Sequence, residues 1–295
     1  MSDIVGSSFG HVNPKRHYIF DLPDARRAAI CREDFWVPHP AATYLIQKIN
    51  MMLEVENKTQ APCMVCCGDG GSGKTSHVNR LKQEVKSWDK KLIFVTMHQN
   101  PNNYSLKQLI LSAMGVDFSR QARAATNITP QMQAIIKRDN IKGVVIDEVH
   151  DALTLTDLQQ RINLSLLKNL SGSEYGLSVF AFGIGSAQKV LRADPQLERR
   201  YAVHDIKPFS YGEEYRNFVS SYVYNLPLKY RSNIDGELLL LLHKKTHGLV
   251  DNIVKALQAS ASYAVLNGDE RIKKEHITNV DVLLDMFGMS MSSYD

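Results

Sequence analysis

Gly68, Gly73, Lys74 and Thr75 stand at the spacing G-x-x-x-x-G-K-[ST], the pattern of a loop that wraps phosphate. The full Walker A stretch is Gly68-Asp69-Gly70-Gly71-Ser72-Gly73-Lys74-Thr75, followed by Ser76. Its four glycines let successive backbone N–H groups turn inward around a triphosphate. The apolar run Met64–Cys67 precedes the loop, and Ser76–Val85 reads as a helix after it, so a helix N-terminus adds its positive dipole end. Lys74 is then placed to reach the β- and γ-phosphates, and Thr75 to ligate magnesium. The implied ligands are ATP and Mg²⁺.

A second stretch completes the pattern. Gly143-Val-Val-Ile-Asp147-Glu148-Val149-His150 is an apolar run that ends in adjacent acids, a Walker B pattern. An acid at the carboxyl end of a parallel strand can hold magnesium through water, and the next carboxylate can orient the attacking water. Asp147 is therefore assigned to the metal, and Glu148 to catalysis. The string Asp147-Glu148-Val149-His150 matches a helicase box, but no later arginine-rich helicase motif accompanies it, so His150 reads as a helix-entry residue.

Elements must position these residues. Lys91–Met97 reads as a second strand, the acid strand is third, and Leu177–Gly183 is a fourth, with helical stretches between them. That alternation predicts a parallel sheet wrapped by helices. Because the acid strand does not directly follow the phosphate-loop strand, the chain falls in the additional-strand class of P-loop ATPases. Residues 1–34 read as a polar, irregular extension. Phe35-Trp-Val-Pro-His-Pro40 leads into a helix from Ala41 to about Glu54; the aromatic segment either lies over the adenine base or staples the helix to the core. From about Tyr211 the pattern becomes helical only, over Glu213–Tyr224, Asp235–Thr246, Asp251–Leu266 and Lys274–Met286. The expected organisation is an extension (1–34), a P-loop core (35–210), a small helical lid (211–287) and a tail (288–295), the tail being a docking peptide or disordered.

Composition bounds the rest. The chain has 295 residues, 44% hydrophobic and 22% charged, enough for one large domain or two modest ones. No stretch has the length of a membrane span and no signal pattern opens the chain, so a cytoplasmic protein without membrane contact is expected. The net charge of +4 permits nucleic-acid binding without demanding it. Three of the four cysteines fall at 63, 66 and 67; in a strand, residues three apart face opposite ways, so these are expected to be core residues.

Taken together, the chain resembles the AAA+ ATPases, and within them the TniB/TnsC transposition regulators, with the phage MuB protein a more distant likeness. The resemblance rests on Ile146–His150, Gln160-Arg161, Gly183-Ile-Gly-Ser186-Ala187, Asp194–Tyr201, Leu226-Pro-Leu-Lys229 with Ser232-Asn233, and the string from Gly248 to Ile272. It implies a P-loop AAA+ core with a parallel sheet flanked by helices and a small C-terminal helical lid. It also implies a role for Ser186 as the polar sensor after the fourth strand, a helix cap being the alternative. Arg200 is implied as the arginine finger, with Arg199 an adjacent competitor and a surface ion pair the alternative. Family DNA contacts are expected after the second strand, where Gln99, Asn102, Asn103, Lys107, Arg120 and Arg123 stand. The arginine that serves as second sensor in many AAA+ proteins is missing from Gly248-Leu-Val-Asp251-Asn252.

The activity this resemblance implies is ATP-dependent, sequence-independent binding of double-stranded DNA by a homo-oligomer, a ring or helical filament. Such an assembly links a TniQ-like target-selection protein to a transposase, and slow ATP hydrolysis, stimulated by DNA or partners, takes it apart. Two alternatives stand beside it: an ATP-gated DNA scaffold with negligible turnover, and an initiator or clamp-loader-like AAA+ switch.

Overall fold

The structure, a computed structural model, describes residues 9–55, 59–97, 104–116, 129–153 and 156–292. It divides into two compact units: one from the described parts of Met1–Pro40, Gly70–Ser72 and Lys207–Asp295, the other from Ala41–Asp69 and Gly73–Ile206.

The second unit is built on five parallel strands in the order β2-β3-β4-β1-β5: β1 Cys63–Cys67, β2 Lys91–Thr96, β3 Ile141–Asp147, β4 Ser178–Gly183 and β5 Tyr201–Asp205. Side-chain alternation sorts the sheet into two faces. Cys63, Val65 and Cys67 join Ile93, Val95, Val144, Ile146, Val179 and Ala181 in one core. Met64 and Cys66 join Leu92, Val145, Phe180 and Phe182 in the other. The cysteines at 63 and 66 thus face opposite ways, and all three strand cysteines are buried.

Helices cover both faces, which is why the strands are apolar nearly throughout. On the face of Met64 lie α2 (Pro40–Leu53), through Leu45, Ile49 and Leu53, and α3 (Lys74–Glu84), through Val78 and Leu81. On the other face lie α4 (Leu106–Ala113), α5 (Thr129–Arg138), α6 (Val149–Leu153), α7 (Asp157–Ser171), α8 (Gly185–Ala193) and α9 (Pro195–Glu198). Strand β4 lies between β1 and β3, so the phosphate-loop strand and the acid strand are one strand apart, as the additional-strand class requires. Register then aligns their carboxyl ends, with Cys67 opposite Gly183 and Ile146 opposite Ala181. A Cβ at Gly183 would stand 3.0 Å from Val149 Cγ1, so any larger residue there would press on the start of α6.

The first unit is helical. It comprises α1 (Asp24–Ile30), α10 (Glu213–Val223), α11 (Gly236–Thr246), α12 (Val250–Leu266), α13 (Lys274–Thr278) and α14 (Val280–Met286), packed around Tyr215, Val219, Leu242, Ile253, Leu257 and Ile277. Gly71 belongs with this unit, its carbonyl accepting the Asp251 N–H at 3.0 Å.

Four sequence expectations change here. The stretch read as an irregular extension holds a 3-10 turn, Pro14–Asp21, and α1, whose Arg27 is fully buried. The single helix expected over Lys274–Met286 breaks at Asn279, whose φ of −97° and ψ of 20° interrupt it. The tail is tied down as far as Ser292, whose N–H donates to Asn252 Oδ1 at 2.8 Å. Strand β5 appears where only an arginine-aromatic motif was read. Within the aromatic segment, Phe35 stacks on Tyr222 at 4.3 Å beneath the Arg16 guanidinium.

Candidate nucleotide site

The loop after β1 turns at Gly71 (φ 74°) and Gly73 (φ 86°), left-handed positions that glycine adopts without strain. Its start is tied to the neighbouring strand, Gly68 N–H donating to the Gly183 carbonyl at 3.2 Å. Helix α3 begins at Lys74, so the loop ends on free helix N–H groups. Lys74 is buried, and its Nζ donates to the carbonyls of Gly68 and Asp69, each at 2.9 Å. Burial pulls the ammonium below its ordinary pKa, while the carboxylates of Glu148, Asp147 and Asp69 act against that pull. Thr75 and Ser76 are exposed at the head of α3, as are Asp69 and Gly70 in the loop.

At the end of β3, Asp147 is buried, and its Oδ1 accepts the Glu148 N–H at 3.0 Å. Glu148 follows in a left-handed conformation, φ 54°, which a non-glycine residue rarely adopts. After β4, Ser186 lies in the first turn of α8, and its Oγ is buried without a hydrogen-bond partner; the same holds for Ser72 Oγ in the loop. Buried orphan hydroxyls are uncommon in native proteins and mark places where a further polar group fits. A glycine loop at a helix head, a buried lysine beside acids and these two hydroxyls together suit a triphosphate with magnesium. Loop N–H groups and Lys74 would hold the phosphates; Thr75 and Asp147 would hold the metal, which supplies charge neutralisation.

The family follows from comparison. A family model described as "Bacterial TniB protein" matches residues 27–211, more than half of the chain. The chain belongs to the TniB family. No curated protein matches it. Among solved structures, it is similar to the Aeropyrum pernix ORC2 protein in its ADPNP-ADP complexes, at TM-score 0.58 and 15% identity, over 85% of this chain and 70% of that one. It is also similar to Drosophila ORC bound to DNA, at TM-score 0.61 and 15% identity, over 98% and 70%. A third is the Cdc6p crystal structure from Pyrobaculum aerophilum, at 0.59 and 13%, over 92% and 86%. These likenesses place the TniB chain in the AAA+ fold.

The remaining expected residues are placed unevenly. Arg200 is half-buried, its Nη1 donating to the Lys168 carbonyl at 2.8 Å and near Ser171 Oγ at 3.3 Å, so it caps the end of α7 in its own chain. Arg199 beside it is exposed. Lys107 is exposed in the first turn of α4, behind a capping box of Ser105 and Gln108. Gln99, Asn102, Asn103, Arg120 and Arg123 lie outside the described residues. Among the described residues no helix is long and apolar enough to cross a membrane.

Two histidines belong to the site that the motif reading did not place there. His77 is buried one turn into α3, and its Nδ1 lies 2.8 Å from the Gly73 carbonyl. A carbonyl only accepts, so Nδ1–H donates and braces the loop exit; burial pulls this imidazole below its ordinary pKa. His150 does open α6, as a helix-entry residue should, yet its Nδ1 also lies 3.2 Å from Glu148 Oε2. In the sequence His77 is a lone histidine, and His150 is legible only as a helix-entry residue.

Proposed function

We propose that this TniB protein binds and hydrolyses MgATP and, in its ATP form, assembles as a homo-oligomer on duplex DNA to connect a target-selection protein to a transposase. The observation that carries the reading is the alignment, across β1, β4 and β3, of the glycine loop with Lys74, the orphan Ser186 hydroxyl and the Asp147–Glu148 pair. Loop N–H groups and Lys74 bind the phosphates, Thr75 and Asp147 hold magnesium, Glu148 takes a proton from water, and Ser186 stands beside the reacting phosphate. Family membership supports the transposition role, and the DNA-bound ORC relative supports the DNA role. Lys107 offers a phosphate contact, together with Gln99, Asn102, Asn103, Arg120 and Arg123.

The rival reading, an ATP-gated scaffold with negligible turnover, draws on one feature: α12 opens with Asp251 and Asn252 where many AAA+ proteins carry an arginine. Titrating labelled duplex DNA at several salt concentrations, with and without ATP, while following phosphate release, tests both. Binding should need ATP, ignore sequence and weaken steeply with salt, because neutralised phosphates release counterions. Binding without ATP, or one sequence held far more tightly than the rest, would overturn the proposal; binding without phosphate release would select the scaffold.

A further inference from the structure

We propose that His150, backed by Asp151, positions Glu148 for its work on water. The inference rests on the ATPase reading above and gives His150, legible in the sequence only as a helix-entry residue, a second role.

Glu148 needs such a support. Its backbone sits in the left-handed region at φ 54°, its N–H is engaged by Asp147 Oδ1, and its side chain is 28% exposed. A general base must present one oxygen to the water, and a misplacement of about 1 Å can cost roughly 100-fold in rate. His150 Nδ1 lies 3.2 Å from Oε2 of that carboxylate, and His150 Nε2 lies 3.5 Å from Asp151 Oδ1. The three side chains form a row in which the acid at one end orients an imidazole that faces the acid at the other.

The imidazole is on a firm base. It projects from α6, whose Val149, Ala152 and Leu153 are fully buried. A histidine that only filled space would be buried, whereas this one is 20% exposed, beside two carboxylates. The 3.2 Å separation is an ion-pair distance; an Nδ1–H turned onto Oε2 as the site closes on substrate would leave Oε1 to accept the proton from water, the arrangement in which a third group orients a base. Glu148 is the catalytic residue; His150 acts through it.

Side-chain geometry supplies the test. An asparagine carries its amide nitrogen two bonds from Cβ, as histidine carries Nδ1, while glutamine reaches one atom further, to where Nε2 stands. His150→Ala should lower kcat for ATP by about 10- to 100-fold, with KM and fluorescent-nucleotide affinity unchanged. His150→Asn should recover most of that loss, His150→Gln much less, and Asp151→Asn should fall between wild type and alanine. A readout independent of turnover is the ¹⁵N spectrum of histidine-labelled, nucleotide-free protein, where Glu148→Gln should move the Nδ1 resonance of His150, and Asp151→Asn its Nε2 resonance. Wild-type kcat in His150→Ala, equal loss in the asparagine and alanine variants, or an imidazole resonance unmoved by Glu148→Gln would overturn the proposal. A wild-type chain that binds nucleotide without any turnover would instead sink the ATPase reading beneath it.

Discussion

Lys74 and Glu148 stand within one small site, yet the physics assigns them opposite consequences when altered. Lys74 offers a buried cation whose removal leaves the β- and γ-phosphates facing acids alone, so Lys74→Ala should abolish binding of a fluorescent ATP analogue; retained affinity would take the lysine out of the site. Glu148 touches neither phosphate nor metal in this assignment. Glu148→Gln should bind the analogue and accumulate on DNA, while phosphate release falls by roughly 10²- to 10⁴-fold, and unchanged release would remove Glu148 from the mechanism. Both residues were legible in the sequence, because a phosphate loop and an acid-terminated strand fix side-chain type and spacing along contiguous stretches. The supporting roles of His77 and His150 were not, since each acts through a partner that the backbone brings near only by entering a helix or a left-handed turn. The cap that Arg200 makes on α7 was equally hidden: it depends on a carbonyl thirty-two positions away in sequence.

Among the elements, α1 is the one the sequence concealed most completely. Its stretch looks polar and irregular because its anchor is an arginine, and only the fold reveals a buried ion pair. The Arg27 guanidinium grips both oxygens of Glu270, just beyond α12, and also donates to Asp24. Burial pushes the Glu270 carboxyl up, but its bonds from Arg27 and Lys229 outweigh that, and its pKa ends below the ordinary 4.5. A carboxyl with a lowered folded-state pKa contributes stability that is present above its unfolded pKa and lost as pH falls through the folded value. The pair's contribution should therefore fade below about pH 4.5. Removing Arg27 leaves the buried Glu270 with Lys229 as its remaining cation, 3.2 Å away, so Arg27→Ala should cost about 3 kcal/mol, the low end for a broken buried pair. Urea unfolding followed by Trp36 in a Trp88→Phe background reads this unit, and an unshifted midpoint would show that the pair contributes nothing. Strand β5 escaped notice for another reason. It is a short edge strand with a mixed burial pattern, carrying His204 and Asp205 where a core strand would carry apolar residues. The central strands, apolar because both faces are covered, announced themselves.

At the scale of the whole molecule, the sequence pattern yields the AAA+ fold readily, because alternating apolar runs and a glycine loop reflect a sheet buried between helices. Assembly is less visible, since a contact between subunits leaves no periodicity in one chain. The Arg199-Arg200 pair is where assembly would show. In the proposed oligomer a guanidinium must reach the neighbour's γ-phosphate, where it is worth about 10³- to 10⁵-fold in rate. The family likeness points to Arg200, whereas the structure engages Arg200 on the end of α7 and leaves Arg199 exposed. On that geometry Arg199→Ala should bind ATP but hydrolyse and assemble poorly, and Arg200→Ala should instead lower the unfolding midpoint. Mixing separates the two. Glu148→Gln subunits keep an intact finger and lack the acid, so combining them with Arg199→Ala subunits creates interfaces that pair an intact acid with an intact finger, and phosphate release should recover. Recovery with Arg200→Ala alone would return the finger to Arg200. Recovery with neither, in mixtures that co-sediment on DNA, would mean that both arginines act within their own subunit and that no cation crosses the interface.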